Sequence, residues 1–238
     1  AGLLDLVHIH RLYGASRADR HEGGRANVAA RCLQHTGPRR TVTRLDLERK
    51  GRHGARLAHR PGSDKSSKSA KTGTMSLSEA EFLHHVRSVP TNVELLARLP
   101  ELGLSQCYLT AGCLFQPVWN HRSGNDPAWG ISDFDVFYFD DSDTSYEAED
   151  AVIQRAASAF ADLDAVIEIR NQARVHLWYE QKFGRPIAPL TSSEDGIGGF
   201  LVACTCVGIN VDTGDLHAPY GLGDLWNGIL HPNPGNID

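Results

Sequence analysis

Every Phe and Trp of this 238-residue chain, and every Tyr except Tyr13, lies beyond position 74. Large apolar side chains supply most of the free energy that collapses a domain, so a core is expected in 75–238 and not before it. Charge divides at the same point. Residues 1–74 carry 16 Lys and Arg against 6 Asp and Glu, a net of +10, whereas 75–238 carry 8 against 23, a net of −15. The first segment is rich in Arg, Gly, His and Ser and ends in the run GSDKSSKSAKTGT, a linker composition. It reads either as a disordered basic arm that touches nucleic acid or another polyanion, or as upstream sequence translated from a start placed too early. Met75, the sole methionine, opens MSLSEAEFLHHV and favours the second. The expected division is a basic, disordered or non-natural extension over 1–74 and a folded domain over 75–238.

Other bulk properties narrow the class. No run of about 18 apolar residues exists, so no membrane span is expected. The opening AGLLDLVHIHRLYGASR lacks a basic stretch followed by an apolar one, so no secretory leader is expected. The five cysteines are odd in number, with Cys204 and Cys206 two apart and Cys32, Cys107 and Cys113 scattered. That pattern suits reduced thiols and a cytoplasmic protein.

Periodicity predicts alternating elements across 76–229. Ser76 or Ser78 caps a helix through Phe82, Leu83 and Val86, and Pro90 interrupts it before a second helix through Val93, Leu95, Leu96 and Leu99. Strands are predicted at 106–110, 133–139, 165–169, 201–211 and 216–218. Helices are predicted at 114–121, at 148–162 behind a Thr144/Glu147 capping box, at 171–183 and at 222–229. Helices and strands mix throughout, so the fold class is α/β or α+β.

The stretch SDFDVFYF (132–139) is nearly all apolar and aromatic from Phe134 on, like a strand buried on both faces, yet it opens with two carboxylates. Side chains alternate across a strand, so Asp133 and Asp135 share a face. Two buried carboxylates side by side are costly unless a cation joins them, and hard oxygen ligands suit Mg²⁺ or Mn²⁺. Two aspartates solvated at the open end of a strand would explain the pair as well. Upstream, LTAGCLF predicts a strand, an Ala111-Gly112 turn and a helix start, where glycine admits a close ligand and free N–H groups attract phosphate.

A phosphate cradle followed by Asp-x-Asp on the next strand resembles the active site of the DNA polymerase beta-like nucleotidyltransferase superfamily. TAGCLFQPVWNHRSG, ISDFDVFYFDDSD, EIRNQARVHLWYE and APYGLGDLWNGILHPNP, in that order, resemble a bacterial nucleotidyltransferase-like branch of it over 104–234. The resemblance implies a mixed central sheet flanked by helices. It also implies that Asp133, Asp135 and Glu168 are catalytic and bind the metal, while Gly112 and Cys113 cradle a nucleoside triphosphate. Cys113 stands where the superfamily usually has serine, and the loop HRSGNDPAWG lengthens the gap to Asp133. The implied activity is transfer of a nucleoside monophosphate to a hydroxyl acceptor, a small molecule or a protein, with release of pyrophosphate. A non-catalytic descendant that binds a nucleotide or a protein partner is the alternative.

Arg170 and Arg174 follow Glu168 closely, and either could reach a triphosphate or pair with an acidic surface. His176 and the tryptophans Trp119, Trp129 and Trp178 could touch a nucleotide, although packing is the commoner fate. A domain at −15 would repel a polynucleotide, so nucleic acid is not expected as a partner of 75–238. Cys204-x-Cys206 has no second pair for zinc, and Gly196-Ile197-Gly198-Gly199 lacks the strand-to-helix setting of a dinucleotide fingerprint.

Overall fold

The computed structural model describes residues 76–236. The expectations for 1–74, and Cys32 with them, lie outside the described residues.

Five short strands form one mixed sheet: β1 Tyr108–Thr110, β2 Phe134–Tyr138, β3 Ile167–Asn171, β4 Gly208–Asn210 and β5 Leu216–His217, in the order β3-β2-β1-β4-β5. β1 runs antiparallel to β2 and β4, β4 to β5, and β2 parallel to β3. Helices are α1 Glu79–Arg87, α2 Pro90–Arg98, α3 Gly112–Ser123, α4 Tyr146–Ala159, α5 Val175–Phe183, α6 Ser193–Gly198 and α7 Gly223–Asn227. This is the α/β class with helices flanking a mixed sheet.

Local signals set most of these elements. Ser78 caps α1 in a full capping box with Glu81. Pro90 opens α2 at its first helical position, where its missing N–H is harmless. Gly103 takes the left-handed conformation that ends the following 3-10 turn, Leu99–Leu102. For α4 the cap is Ser145, whose hydroxyl accepts from the Ala148 N–H, and not Thr144. The Thr144 carbonyl instead accepts from Arg174 Nε at 2.9 Å, which ties that residue down one step before the helix. The apolar run 201–211 is not one strand. It splits into a 3-10 turn, Ala203–Thr205, and the three-residue β4. Short α6, which periodicity missed, starts where the Ser192 hydroxyl accepts from the Asp195 N–H.

The core lies on one face of the sheet. Phe134, Val136 and Tyr138 of β2, Leu109 of β1, Ile169 of β3 and Ile209 of β4 pack there with residues of α1, α2, α3, α4 and α7. Burial in β2 alternates strictly, so SDFDVFYF is buried on one face and not on two. Its other face carries Asp135 and Phe137. A smaller apolar cluster on this second face joins Tyr108, Ala111, Ile197, Phe200 and Cys206, with Phe137 against it. Gly208 makes room for it, since a Cβ there would stand 2.5 Å from Ile197 Cδ1.

Helix α3 contains Pro117, which has no N–H to give to the carbonyl four residues back, at Cys113. The fully buried Asn92 of α2 replaces that donor. Its Nδ2 bonds the Cys113 carbonyl at 2.7 Å and the Val86 carbonyl at 3.0 Å. Asn92→Leu therefore takes this donor from the Cys113 carbonyl and leaves the Val86 carbonyl with the Val89 N–H at 3.3 Å, and it is expected to cost about 1–3 kcal/mol in urea unfolding. In a Pro117→Ala background the helix regains its own donor, and the cost should shrink. An equal cost in both backgrounds would show that Asn92 does not substitute for the missing N–H.

Candidate active site

Asp135 and Glu168 are register partners on the parallel strands β2 and β3, so their side chains leave the same face of the sheet. Asp133 lies two residues before Asp135, just ahead of β2, and its charge is felt at Asp135. The three carboxylates feel one another. Burial, then the charges of Asp133 and Glu168, push the Asp135 carboxyl well above the usual carboxylate range, and Arg170 offsets part of that. Arg170 stands two residues after Glu168 on β3 and approaches it at 3.6 Å.

Sequence reasoning overlooked a second cation. Lys182 of α5 lies one turn after Trp178, with its ammonium 5.5 Å from that indole. Burial and the Arg170 charge depress its pKa, while Glu168 pulls the other way, so it belongs to the same electrostatic neighbourhood. Arg174 does not. Its side chain is buried against Glu149, which also accepts from the Asn171 N–H at 2.9 Å. Arg174 thus takes the ion-pair reading and ties the end of β3 to α4.

The turn between β1 and α3 differs from expectation in its chemistry. Ala111, before Gly112, takes a positive φ of 66° with ψ −141°, and an added Cβ at Gly112 would meet nothing within 4 Å. A non-glycine residue in this region stores on the order of 1–3 kcal/mol of strain, a feature that clusters at functional sites. The N–H groups of Gly112 and Cys113 open α3 and have no intrahelical acceptor. The Cys113 thiol is fully buried and donates to the Thr110 carbonyl at 3.1 Å. Burial, with the Asp135 charge next, pushes it well above the usual thiol range. What this residue presents to a ligand is therefore its backbone and not its side chain.

A cavity of about 610 Å³ opens on the same face of the sheet. Asp135, Glu168 and Arg170 line it, whereas Asp133, Gly112, Cys113 and Arg174 do not. Trp178 lines it as well. Trp119 is core, donating its indole N–H to the Leu225 carbonyl at 2.9 Å, and Trp129 is 54% exposed. His176 has a buried Nδ1 without a hydrogen-bond partner among the described residues and lies outside the lining. Much of the wall comes from 187–200, 217–220 and 235–236, loops together with short α6 and the end of β5, too short for a period to be read.

A family model described as nucleotidyltransferase matches residues 97–238. The chain belongs to the nucleotidyltransferase family. The match spans every strand of the sheet and all three carboxylates. Among solved structures, one described as "The NMR structure of the protein reveals a CCA-adding enzyme head domain" is similar at 28% identity and a TM-score of 0.55. It covers 68% of this chain and 82% of that one. No curated protein matches.

The donor set of this nucleotidyltransferase-family chain suits a divalent cation. It offers oxygen ligands only, from carboxylates on one face, one of them held at an unfavourable charge by its neighbours. Among the described residues, no three His, Cys, Asp or Glu side chains stand close enough to cage an ion as they are.

Proposed function

We propose that the chain transfers a nucleoside monophosphate from a nucleoside triphosphate to a hydroxyl on a small molecule or a protein, releasing pyrophosphate. The observation that supports this reading is the register pairing of Asp135 with Glu168, two carboxylates side by side on adjacent strands, with the Asp133 charge felt at Asp135. Asp133, Asp135 and Glu168 would hold Mg²⁺ or Mn²⁺. When bound, that ion supplies positive charge for the phosphates.

The remaining roles belong to the chain. The open N–H groups at Gly112 and Cys113 attract the triphosphate. Arg170 offers two parallel donors to a phosphate oxygen pair, and Lys182 adds a point charge nearby. The acceptor hydroxyl attacks the α-phosphorus in line. An O–P bond forms, the bond to pyrophosphate breaks, and Glu168 accepts the hydroxyl proton. With 8 basic and 23 acidic residues in 75–238, a polynucleotide acceptor is disfavoured, unlike the substrate suggested by the CCA-adding description of the similar structure. The four described cysteines are buried and free, which fits the reducing cytoplasm. No described helix is long and apolar enough to cross a membrane.

Calorimetric titration of ATP, GTP, CTP and UTP into the full chain tests the reading. At least one nucleotide should bind with Mg²⁺ and bind at least about tenfold more weakly without it. Binding of none of the four would remove the transferase reading. Binding that ignores Mg²⁺ would favour a non-catalytic nucleotide binder, the second reading, which the inward-turned Cys113 thiol also supports.

A further inference from the structure

The start of α3 lies outside the cavity that Asp135 lines. Ile197 and Phe200 pack on Ala111 and Tyr108 and fill the second face of the sheet beside the β1–α3 turn. The cavity reaches Asp135 and Glu168 but neither Gly112 nor Cys113. A triphosphate drawn to the N–H groups of α3 therefore leaves the cavity open to the other reactant. Both would meet at the carboxylates.

The far end of the cavity has its own polar cluster. Asp135 pairs with Thr110, Thr110 with Gly208 and Gly208 with His217, so His217 stands three strands across the same face. At the usual strand spacing that separates their backbones by about 14 Å. His217 Nδ1 faces Glu194 Oε2 at 3.7 Å, and the Tyr108 hydroxyl donates to Glu194 Oε1 at 2.5 Å. A carboxylate beside Nδ1 favours the proton there and leaves Nε2 as an acceptor. That Nε2 is buried and has no hydrogen-bond partner among the described residues. His217 and Glu194 both line the cavity, and Trp178, Phe137 and Phe200 contribute aromatic wall between the two ends. A volume of about 610 Å³ falls within the roughly 300–1,000 Å³ of small-molecule sites.

Resting on the transferase reading above, we infer that this cavity seats the acceptor, a small aromatic alcohol. Its hydroxyl lies at Asp135 and Glu168, and a second donor group at its other end is bound by His217. Tyr108 and Glu194 are positioning residues that orient His217. The occupant is a small molecule and not the nucleotide.

The test uses the full chain and four probes. Tyrosol and 6-hydroxymethyl-2-naphthol carry a hydroxyl at each end, whereas 2-phenylethanol and 2-naphthalenemethanol lack the phenolic one. Binding is followed by calorimetry with Mg²⁺ and α,β-methylene-ATP present, which blocks transfer at the α-phosphate. At least one two-ended probe should bind tenfold or more tightly than its one-ended analogue. His217→Phe should erase that difference, and Val175→Trp, which fills the cavity, should weaken the probes at least tenfold. Ala188→Trp, at an exposed lining position, repeats the filling if Val175→Trp does not fold. The analogue keeps the alcohol and the ring, so its affinity should change less than twofold in His217→Phe and fall together with that of the probes in the filled variants.

The inference is overturned if no probe binds, if the analogue does not compete with its two-ended probe, or if a filled and folded variant keeps the probes. It is overturned too if His217→Phe leaves the difference intact. If the wild-type chain binds probes but no nucleotide, the transferase reading fails and the acceptor role fails with it. If nucleotide binds and the cavity result is negative, only the inference fails.

Discussion

Asp135→Asn is expected to weaken Mg²⁺-dependent nucleotide binding on the order of 100-fold, because several kcal/mol of charge stabilisation depend on the ion this carboxylate would hold. The same substitution should raise the melting temperature of the metal-free protein by several degrees. The two effects have one cause. Burial and the charges of Asp133 and Glu168 hold the Asp135 carboxyl well above its ordinary range, so ionising it costs stability in the folded protein. A neutral amide of the same shape removes that cost, on the order of 1–3 kcal/mol. In a domain of this size, each kcal/mol moves the midpoint by about 2–4 °C. Calorimetry with and without Mg²⁺, together with thermal unfolding monitored by circular dichroism, reads both effects. A lower midpoint would mean that Asp135 is a structural group and that its charge is well compensated.

Glu149→Gln should destabilise the fold by about 3–5 kcal/mol, because it leaves the buried Arg174 guanidinium without its countercharge. Arg174 also donates to the Thr144 carbonyl and lies against the Tyr146 ring, so it cannot simply swing into water. Glu149 in turn accepts from the Asn171 N–H at the end of β3. The pair therefore fixes the strand that presents Glu168 and Arg170. Urea unfolding gives the loss directly. Glu149→Gln with Arg174→Met should recover part of it, since the double variant buries no lone charge. If the double variant were no more stable than Glu149→Gln alone, the burden would lie in the Asn171 contact and not in the charge.

Legibility followed the range of each signal. Ser78 with Glu81, Pro90 and Gly103 act within one turn of chain, and the helices they bound were readable. Asp133 and Asp135 could be chosen by their spacing on one strand and Glu168 through the family resemblance, and the register places Asp135 and Glu168 side by side. Cys113 was readable as a departure, but the direction of its thiol depends on the Thr110 carbonyl, which spacing does not reveal. Arg170 and Arg174 look alike in the sequence. One faces the cavity and the other is consumed by Glu149, 25 residues away. Gly196, discounted in the sequence as part of a dinucleotide fingerprint, is glycine for another reason: a Cβ there would stand 2.2 Å from Gln172 Oε1. His217 and Glu194 carried no sequence signal, because only the sheet register and α6 bring them together.

The replacement of one missing helix donor by Asn92 makes the α3 start a borrowed part. The group that completes its hydrogen bonding sits at position 92, while the family match begins at 97. Whatever α3 offers to a phosphate is thus calibrated from outside the shared family segment. A relative that kept Pro117 but supplied no counterpart to Asn92 would have to find another donor for that carbonyl or lose the rigidity of its first turn. Grafting 97–238 onto a different leading segment would carry over the carboxylates and leave the Cys113 carbonyl without its Asn92 donor.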